Sequence, residues 1–489
     1  MALVPEIIVF NEENVKPKRL NQHISAIIIS FSGFALGVTI GWNSSAGDTL
    51  RNVLNATATE IGLVGGIVNA GACAGIFMLP CILRHLSYTS SYLISIPIYL
   101  FGWTFICLAD QKVWCLLLGR FLCGLAGGTC CVLSPIFISE VADKNTRVRL
   151  LVYFQLLINC GIFYAFLVAY FYDEKDAIWR YSMICGVSCA LIIWIAFLPE
   201  TPLYYLSIND EHSAIKSINW YYGNGSNNDL NEYKKLIKKI LLFQMLNSPS
   251  VRLSPPPHSI DYVLKNFNVI RAIIVCHGVI IIQQLSGINT LTFYATVIFN
   301  NGGSGELTGA QQTLVIGGLQ IISCIFCMLV IDFWGRRILL AVSGIIMGLS
   351  MILFGWYINV RDEDPEFYEE SYGWIPPTCM VIYFSAFNLG LGPISWSILG
   401  DTFPIEIKTF GASSVAFLSW LISLIATLTF GELAQSLGIS KTMWLFGGFC
   451  CLGAILCGAF VRETRGMSLA DIQNKFKIDP IQVDNNLES

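Results

Sequence analysis

Two stretches decide the fold: Ser139-Glu140-Val141-Ala142-Asp143-Lys144-Asn145-Thr146-Arg147 and Gly400-Asp401-Thr402-Phe403-Pro404-Ile405-Glu406-Ile407-Lys408. Each follows a long apolar run, places a carboxylate at its start and closes on a cation seven residues later. A third echo joins them, with Pro199-Glu200-Thr201 in the first half and Arg462-Glu463-Thr464 in the second. Charge at a helix end is ordinary on a water-facing surface. The same groups recurring in the same order in both halves instead mark two related helical bundles.

The apolar runs around these stretches supply the helices. A helix needs about 20 apolar residues to cross about 30 Å of hydrocarbon. Such runs lie near 22–46, 59–83, 88–109, 112–138, 149–172 and 180–198, and again near 270–299, 311–333, 338–360, 374–400, 410–431 and 442–461. The expected fold is an all-α membrane protein with twelve transmembrane helices in two six-helix pseudo-symmetric bundles. Its parts are an N-terminus (1–21), a first bundle (22–206), a polar linker (207–267), a second bundle (268–463) and a tail (464–489). The first apolar run follows Glu12, Glu13, Lys16, Lys18 and Arg19 and lacks a cleavage-site pattern, so it reads as a retained helix. In the linker, Ser213-Ala214-Ile215-Lys216 and the stretch 236–242 carry the amphipathic pattern of short surface helices, which Ser254-Pro255-Pro256-Pro257 ends.

Composition excludes several classes. Of 489 residues, 54% are hydrophobic and only 13% charged, against about 25% charged in soluble domains. That removes a soluble enzyme. A net charge of −4 removes a nucleic-acid binder working through a basic surface. No GxxxxGK[ST] loop occurs, which argues against a nucleotide partner and nucleotide-driven pumping. Most of the seventeen cysteines, such as Cys73, Cys81, Cys123, Cys130, Cys131, Cys327, Cys450 and Cys451, sit inside apolar runs without the spacing of a zinc site. They read as small buried hydrophobes, and neither metal nor cofactor is expected.

Orientation follows from Lys and Arg. With both termini cytosolic, the inner loops hold Arg84, Lys144, Arg147, Arg149, Arg336, Arg337 and Lys408, while Asp362-Glu363-Asp364 faces out. This topology, a multi-pass protein of the plasma membrane, puts the sequon Asn55-Ala56-Thr57 outside, where a glycan can attach; Asn224-Gly225-Ser226 falls in the cytosolic linker.

Seven motifs in order then resemble the sugar porter family of the major facilitator superfamily, over about residues 25–473. They are Gly119-Arg120; Pro135-Ile136-Phe137-Ile138-Ser139-Glu140; Pro199-Glu200-Thr201-Pro202; Gln283-Gln284-Leu285-Ser286-Gly287-Ile288-Asn289; Asp332-Phe333-Trp334-Gly335-Arg336-Arg337; Gly390-Leu391-Gly392-Pro393-Ile394-Ser395-Trp396; and Glu463-Thr464-Arg465-Gly466-Met467-Ser468-Leu469. Within that family the chain looks most like the insect facilitated trehalose and glucose transporters. The resemblance implies the major facilitator fold and alternating-access transport of a small neutral sugar.

Residue chemistry agrees with this. A sugar hydroxyl both donates and accepts, as does an amide. Gln283, Gln284 and Asn289 are amides within seven residues of an apolar run, too costly to face lipid. Helical spacing returns Asn289 towards the face of Gln283. The resemblance adds Gln155, Gln320, Asn388, Trp396 and Trp420 as substrate-binding residues. A tryptophan face can stack on a sugar ring or anchor at the membrane interface. Gly390, Gly392 and Pro393 interrupt a helix and leave a place to bend, which the family uses as a gating hinge. By the same resemblance Glu140, Arg147, Glu200, Arg336, Arg337, Asp401, Lys408 and Glu463 form a cytosolic latch between the halves.

Departures from the family pattern matter. The loop after the second run reads Leu83-Arg84-His85-Leu86-Ser87-Tyr88, where the family usually carries more basic charge; Leu203 replaces an arginine, Lys408-Thr409 stands where Arg-Gly is usual, and Asn388 stands where many relatives carry glutamate. The first-half latch is thinned, which motivates a non-transporting sugar sensor as one alternative. A proton symporter is the other. Coupled relatives place an aspartate in the first helix, but this chain has Gly41-Trp42-Asn43, and an amide does not exchange a proton near neutral pH. His277 is the rival titrating group, with no carboxylate near it in sequence. Passive transport is the preferred reading.

Overall fold

The computed structural model describes residues 19–53, 58–109, 112–143, 146–171, 178–208, 210–222, 267–293, 309–361, 363–401, 403 and 408–461. The first half contains α1 (Arg19–Val53), α2 (Ala58–Ile82), α3 (Tyr88–Cys107), α4 (Val113–Val141), α5 (Arg147–Phe171) and α6 (Ile178–Gly186), which tightens into a 3-10 segment over Val187–Phe197. Two short helices, α7 (Pro202–Ser207) and α8 (Glu211–Tyr222), follow. The second half contains α9 (Phe267–Leu285), α10 (Ile288–Phe293), α11 (Gly309–Arg361), α12 (Pro365–Tyr372), α13 (Ile375–Leu389), α14 (Leu391–Asp401), α15 (Lys408–Leu437) and α16 (Ile439–Phe460).

Ten helical spans among the described residues are long and apolar enough to cross a membrane. The difference from the expected twelve has two sources. One is α11, whose 53 residues would make a rod of about 80 Å, more than twice the hydrocarbon thickness. Gly335 interrupts it at φ 77° and ψ 170°, a conformation that places a Cβ against the backbone and so favours glycine. The first rod runs along α5, with Gly317 against Phe163 and Arg149 paired with Asp332. The second runs along α16, with Gly344 against Ala454 and Gly355 against the Ser440 carbonyl. The other source is the run expected over 180–198. There nine α-helical residues give way to eleven in the tighter 3-10 form, which rises about 2.0 Å per residue against 1.5 Å. Together they reach roughly 35 Å, enough to cross.

Two further runs are broken. The run expected over 270–299 stops at Leu285 and resumes at Ile288, because Gly287 takes φ 85°. The run expected over 374–400 is split at Gly390.

Helices close on one another through small residues, because in lipid close packing must replace the hydrophobic drive. Along α1, Gly33, Gly37 and Gly41 recur every fourth residue and all face α5. A Cβ at Gly37 would lie 2.0 Å from the Ile158 carbonyl oxygen. Large apolar side chains such as Phe77, Phe101, Ile274, Phe333 and Ile455 are exposed, while the amides of Gln155, Asn159, Gln283 and Asn388 are buried.

The expected surface helix at Ser213 is α8. Asp210 caps it, accepting the Ser213 N–H at 3.0 Å, and that bond holds its carboxyl below the ordinary aspartate value. The end of α8 docks on the start of α1, where Asn21 Nδ2 donates to the Trp220 carbonyl at 2.7 Å and Gln22 Nε2 to that of Tyr221 at 3.3 Å. The expected helix over 236–242 lies outside the described residues, as do the tail and Asn55.

The halves meet where α2 packs on α15, with Asn69 Nδ2 reaching Thr427 Oγ1 at 3.5 Å, and where α5 packs on α11. These two seams flank a central cavity.

Candidate substrate cavity and its charged end

The cavity holds about 630 Å³ of unfilled space, open solvent at its mouth included. All eight residues singled out as substrate-binding candidates lie on its wall: Gln155 on α5, Gln283 and Gln284 on α9, Asn289 on α10, Gln320 on α11, Asn388 on α13, Trp396 on α14 and Trp420 on α15. Gln155 stands eight residues into α5, about 12 Å from its start, and Gln283 two residues before α9 ends. Leu36, Ile40, Ile158, Ile162 and Phe387 add apolar surface to the wall. Among the described residues no charged side chain lines the cavity.

Hydrogen bonds organise the amides into two groups. Gln284 Nε2 donates to Ser419 Oγ at 2.8 Å, and Asn289 Nδ2 lies 2.8 Å from both Gln284 Oε1 and Ser423 Oγ. Asn289 therefore joins Gln284 rather than the face of Gln283. Helical spacing misplaced it because Gly287 ends the helix before the count is complete. Across the cavity, Gln155 Nε2 donates to Asn159 Oδ1 at 3.2 Å and Asn159 Nδ2 to Asn388 Oδ1 at 2.7 Å. Asn159 also lines the cavity and was missed in the sequence; its four-residue spacing from Gln155 on one helix was the signal that could have found it.

Gln283 does something else. Its Nε2 donates to the carbonyls of Leu391 (3.1 Å) and Gly392 (3.4 Å), while its Oε1 is buried with no hydrogen-bond partner among the described residues. Those carbonyls belong to the break that Gly390, Gly392 and Pro393 create. Gly390 sits at φ −144° and ψ −73°, and Pro393 has no N–H for the Leu389 carbonyl one turn earlier. The Leu391 N–H turns to Ser343 Oγ at 3.1 Å. A Cβ at Gly390 would lie 2.4 Å from the Leu339 carbonyl oxygen. The joint is thus pinned to α9 on one side and α11 on the other.

At one end of the bundle the charged residues gather. Lys408 Nζ lies 3.7 Å from Glu140 Oε1 and donates to Ser139 Oγ at 2.7 Å, and the Tyr88 hydroxyl donates to the same Glu140 oxygen at 3.2 Å. Glu200 bonds within the first half: its carboxylate accepts the Thr89 N–H at 2.5 Å at the start of α3, whose N-cap is Ser87. Arg147 donates to the Ala142 carbonyl at 3.4 Å. Arg336 is buried just past Gly335, and Arg337 donates to the Gly458 carbonyl at 2.5 Å. Asp401 ends α14, its side chain outside the described residues, as is all of Glu463. A second bridge between the halves, Arg149 with Asp332, was not singled out in the sequence although Asp332 begins one of its motifs.

The two groups that bear on coupling are both buried or half-buried. Asn43 is buried on α1 beside α2. His277 Nδ1 lies 2.8 Å from the Ile273 carbonyl and Nε2 lies 3.4 Å from Ser414 Oγ. The Ser414 hydroxyl also donates to the Gly411 carbonyl at 2.9 Å.

A family model described as "Sugar (and other) transporter" matches residues 20–476. The chain is 29% identical over 477 residues to the facilitated trehalose transporter Tret1 of Apis mellifera ligustica, covering 96% of this chain and 90% of that protein. It is 28% identical to the same-named transporter of Bombyx mori, over 93% and 86% of the two chains. Among solved structures it is similar to the proton:xylose symporter XylE bound to 6-bromo-6-deoxy-D-glucose, with a TM-score of 0.76, 19% identity and coverage of 94% and 100%. The inward-open conformation of XylE from E. coli gives 0.67 at 19% identity, over 92% and 99%. This chain has their fold, the major facilitator fold.

Proposed function

The chain belongs to the sugar (and other) transporter family, and from that premise we propose that it carries a small neutral sugar, a hexose or trehalose, passively across the plasma membrane by alternating access. The observation that carries this reading is the cavity wall, which offers amides from both halves, two tryptophans and no charged side chain among the described residues. Amides match hydroxyls in both directions, and an indole face suits the C–H face of a sugar ring. A charged substrate would lose its water there and find no counter-ion.

With both termini cytosolic, the charged end faces the cytosol. Glu140 with Lys408 and Arg149 with Asp332 then hold the inner side shut. Passive operation is supported by Asn43 in place of a titrating group and by a His277 whose contacts are a carbonyl and a hydroxyl.

The test is saturable flux into proteoliposomes carrying the purified protein, with radiolabelled D-glucose, trehalose and glucuronate. Neutral sugar should enter and glucuronate should not. Absence of saturable flux for any neutral sugar would overturn the carrier reading in favour of a sensor.

A further inference from the structure

The bond between Asn159 and Asn388 stands apart from the rest of the cavity wall. Each side chain is 1% exposed, each lines the cavity, and they come from opposite halves. The chain of amides is continuous: Gln155 to Asn159 at 3.2 Å, Asn159 to Asn388 at 2.7 Å, and Asn388 Nδ2 to the Phe384 carbonyl at 2.9 Å. Asn388 stands two residues before the Gly390 break, so bending at that joint moves it relative to α5. Separating the pair without a replacement would strand a buried donor and a buried acceptor.

One group can replace both halves of this bond. A hydroxyl accepts from an amide N–H and donates to an amide oxygen. Placed between Asn159 Nδ2 and Asn388 Oδ1, it would keep both satisfied while letting the halves part. We propose that the Asn159–Asn388 bond is a clasp that a sugar hydroxyl displaces: it restrains the empty carrier, and the loaded carrier changes orientation faster because substrate takes over both ends. The proposal rests on the transport reading above and makes Asn159 a specificity-determining residue of the same cavity, one that prefers a hydroxyl bridging its amide to that of Asn388.

The experiment compares equilibrium exchange with zero-trans influx, in proteoliposomes of the full-length protein and with radiolabelled D-glucose and trehalose as probes. Exchange avoids the empty-carrier step, which zero-trans influx requires. In the unmodified protein exchange should exceed zero-trans influx. Asn159→Val removes the clasp and should speed the empty-carrier step roughly two- to tenfold, the range for one neutral hydrogen bond, so that the ratio of exchange to influx falls towards one. Asn159→Ser, too short to span the gap and milder for folding, should lower the ratio in the same direction. Adding Asn388→Leu to Asn159→Val should lower it no further. Flux with an unchanged ratio in both single variants overturns the clasp alone. Absence of flux in the unmodified protein overturns the transport reading and the clasp with it.

Discussion

Lys408 Nζ lies 3.7 Å from Glu140 Oε1 with each side chain only 4% exposed, and the two come from opposite halves of the chain. In sequence Glu140 recurs as Asp401 and Arg147 as Lys408, yet the observed pair takes its anion from the first copy and its cation from the second. A two-fold relationship between bundles does this naturally, since like ends of the two repeats meet at the axis. Burial makes each ion dependent on the other, and the hydroxyls of Tyr88 and Ser139 supply further partners.

Removing one ion from this pair leaves the other buried. Lys408→Ala should lower stability by about 3–5 kcal/mol, read as a fall in the unfolding temperature of the purified protein. The double variant Glu140→Gln with Lys408→Met should recover most of that loss, because no bare charge remains. If the losses simply add, the two residues are energetically independent.

The α1–α5 seam gives a second expectation. A Cβ at Gly37 would meet the Ile158 carbonyl at 2.0 Å, whereas among the described residues nothing lies within 4 Å of one at Gly278. Gly37→Ala should cost at least about 1–3 kcal/mol by forcing two backbones apart. Gly278→Ala, in a helix with room, should be neutral or stabilise by up to ~1 kcal/mol. Equal thermal shifts for the two variants would contradict the packing described.

How much of this was legible beforehand depends on the physics behind each feature. Length and apolarity reveal a membrane helix, so most crossings could be read directly. A left-handed glycine is silent in hydropathy: Gly335 looks like part of a loop between two runs, yet helical turns continue to it from both sides. The 3-10 segment over Val187–Phe197 is equally silent, because its composition is that of an ordinary apolar helix. The amides and tryptophans on the cavity wall stood out because a polar group inside an apolar run is conspicuous. Their pairing did not, since which amide meets which depends on where Gly287 and Gly390 break their helices.

Gln283 ties the break at Gly390 to the cavity, with Nε2 on two backbone carbonyls and Oε1 buried without a hydrogen-bond partner among the described residues. Gln283→Leu should weaken sugar binding by about 1–3 kcal/mol, roughly ten- to hundredfold in Kd. Trp396 and Trp420 make tryptophan fluorescence a direct readout. Undiminished affinity in a well-folded variant would remove Gln283 from the binding site.

Orientation can be tested at Asn55, which lies outside the described residues. Expressed in insect cells, the protein should carry one glycosidase-sensitive mass shift, lost in Asn55→Gln and kept when Asn224 is changed to Gln. A shift that survives Asn55→Gln would reverse the assignment of the inner and outer faces.

The last expectation concerns energy coupling. A symporter needs a group in the transport path that gains a proton in one orientation and releases it in the other. Asn43 has no proton to exchange near neutral pH, and His277 holds a carbonyl and a hydroxyl, both uncharged. Uptake should therefore equilibrate sugar across the membrane without concentrating it, draw no sugar-induced current and respond little to depolarisation. His277→Gln retains a donor and an acceptor, and should leave that equilibration in place. Accumulation above the external concentration, abolished by a protonophore and by His277→Gln, would overturn passive transport and make His277 the coupling group.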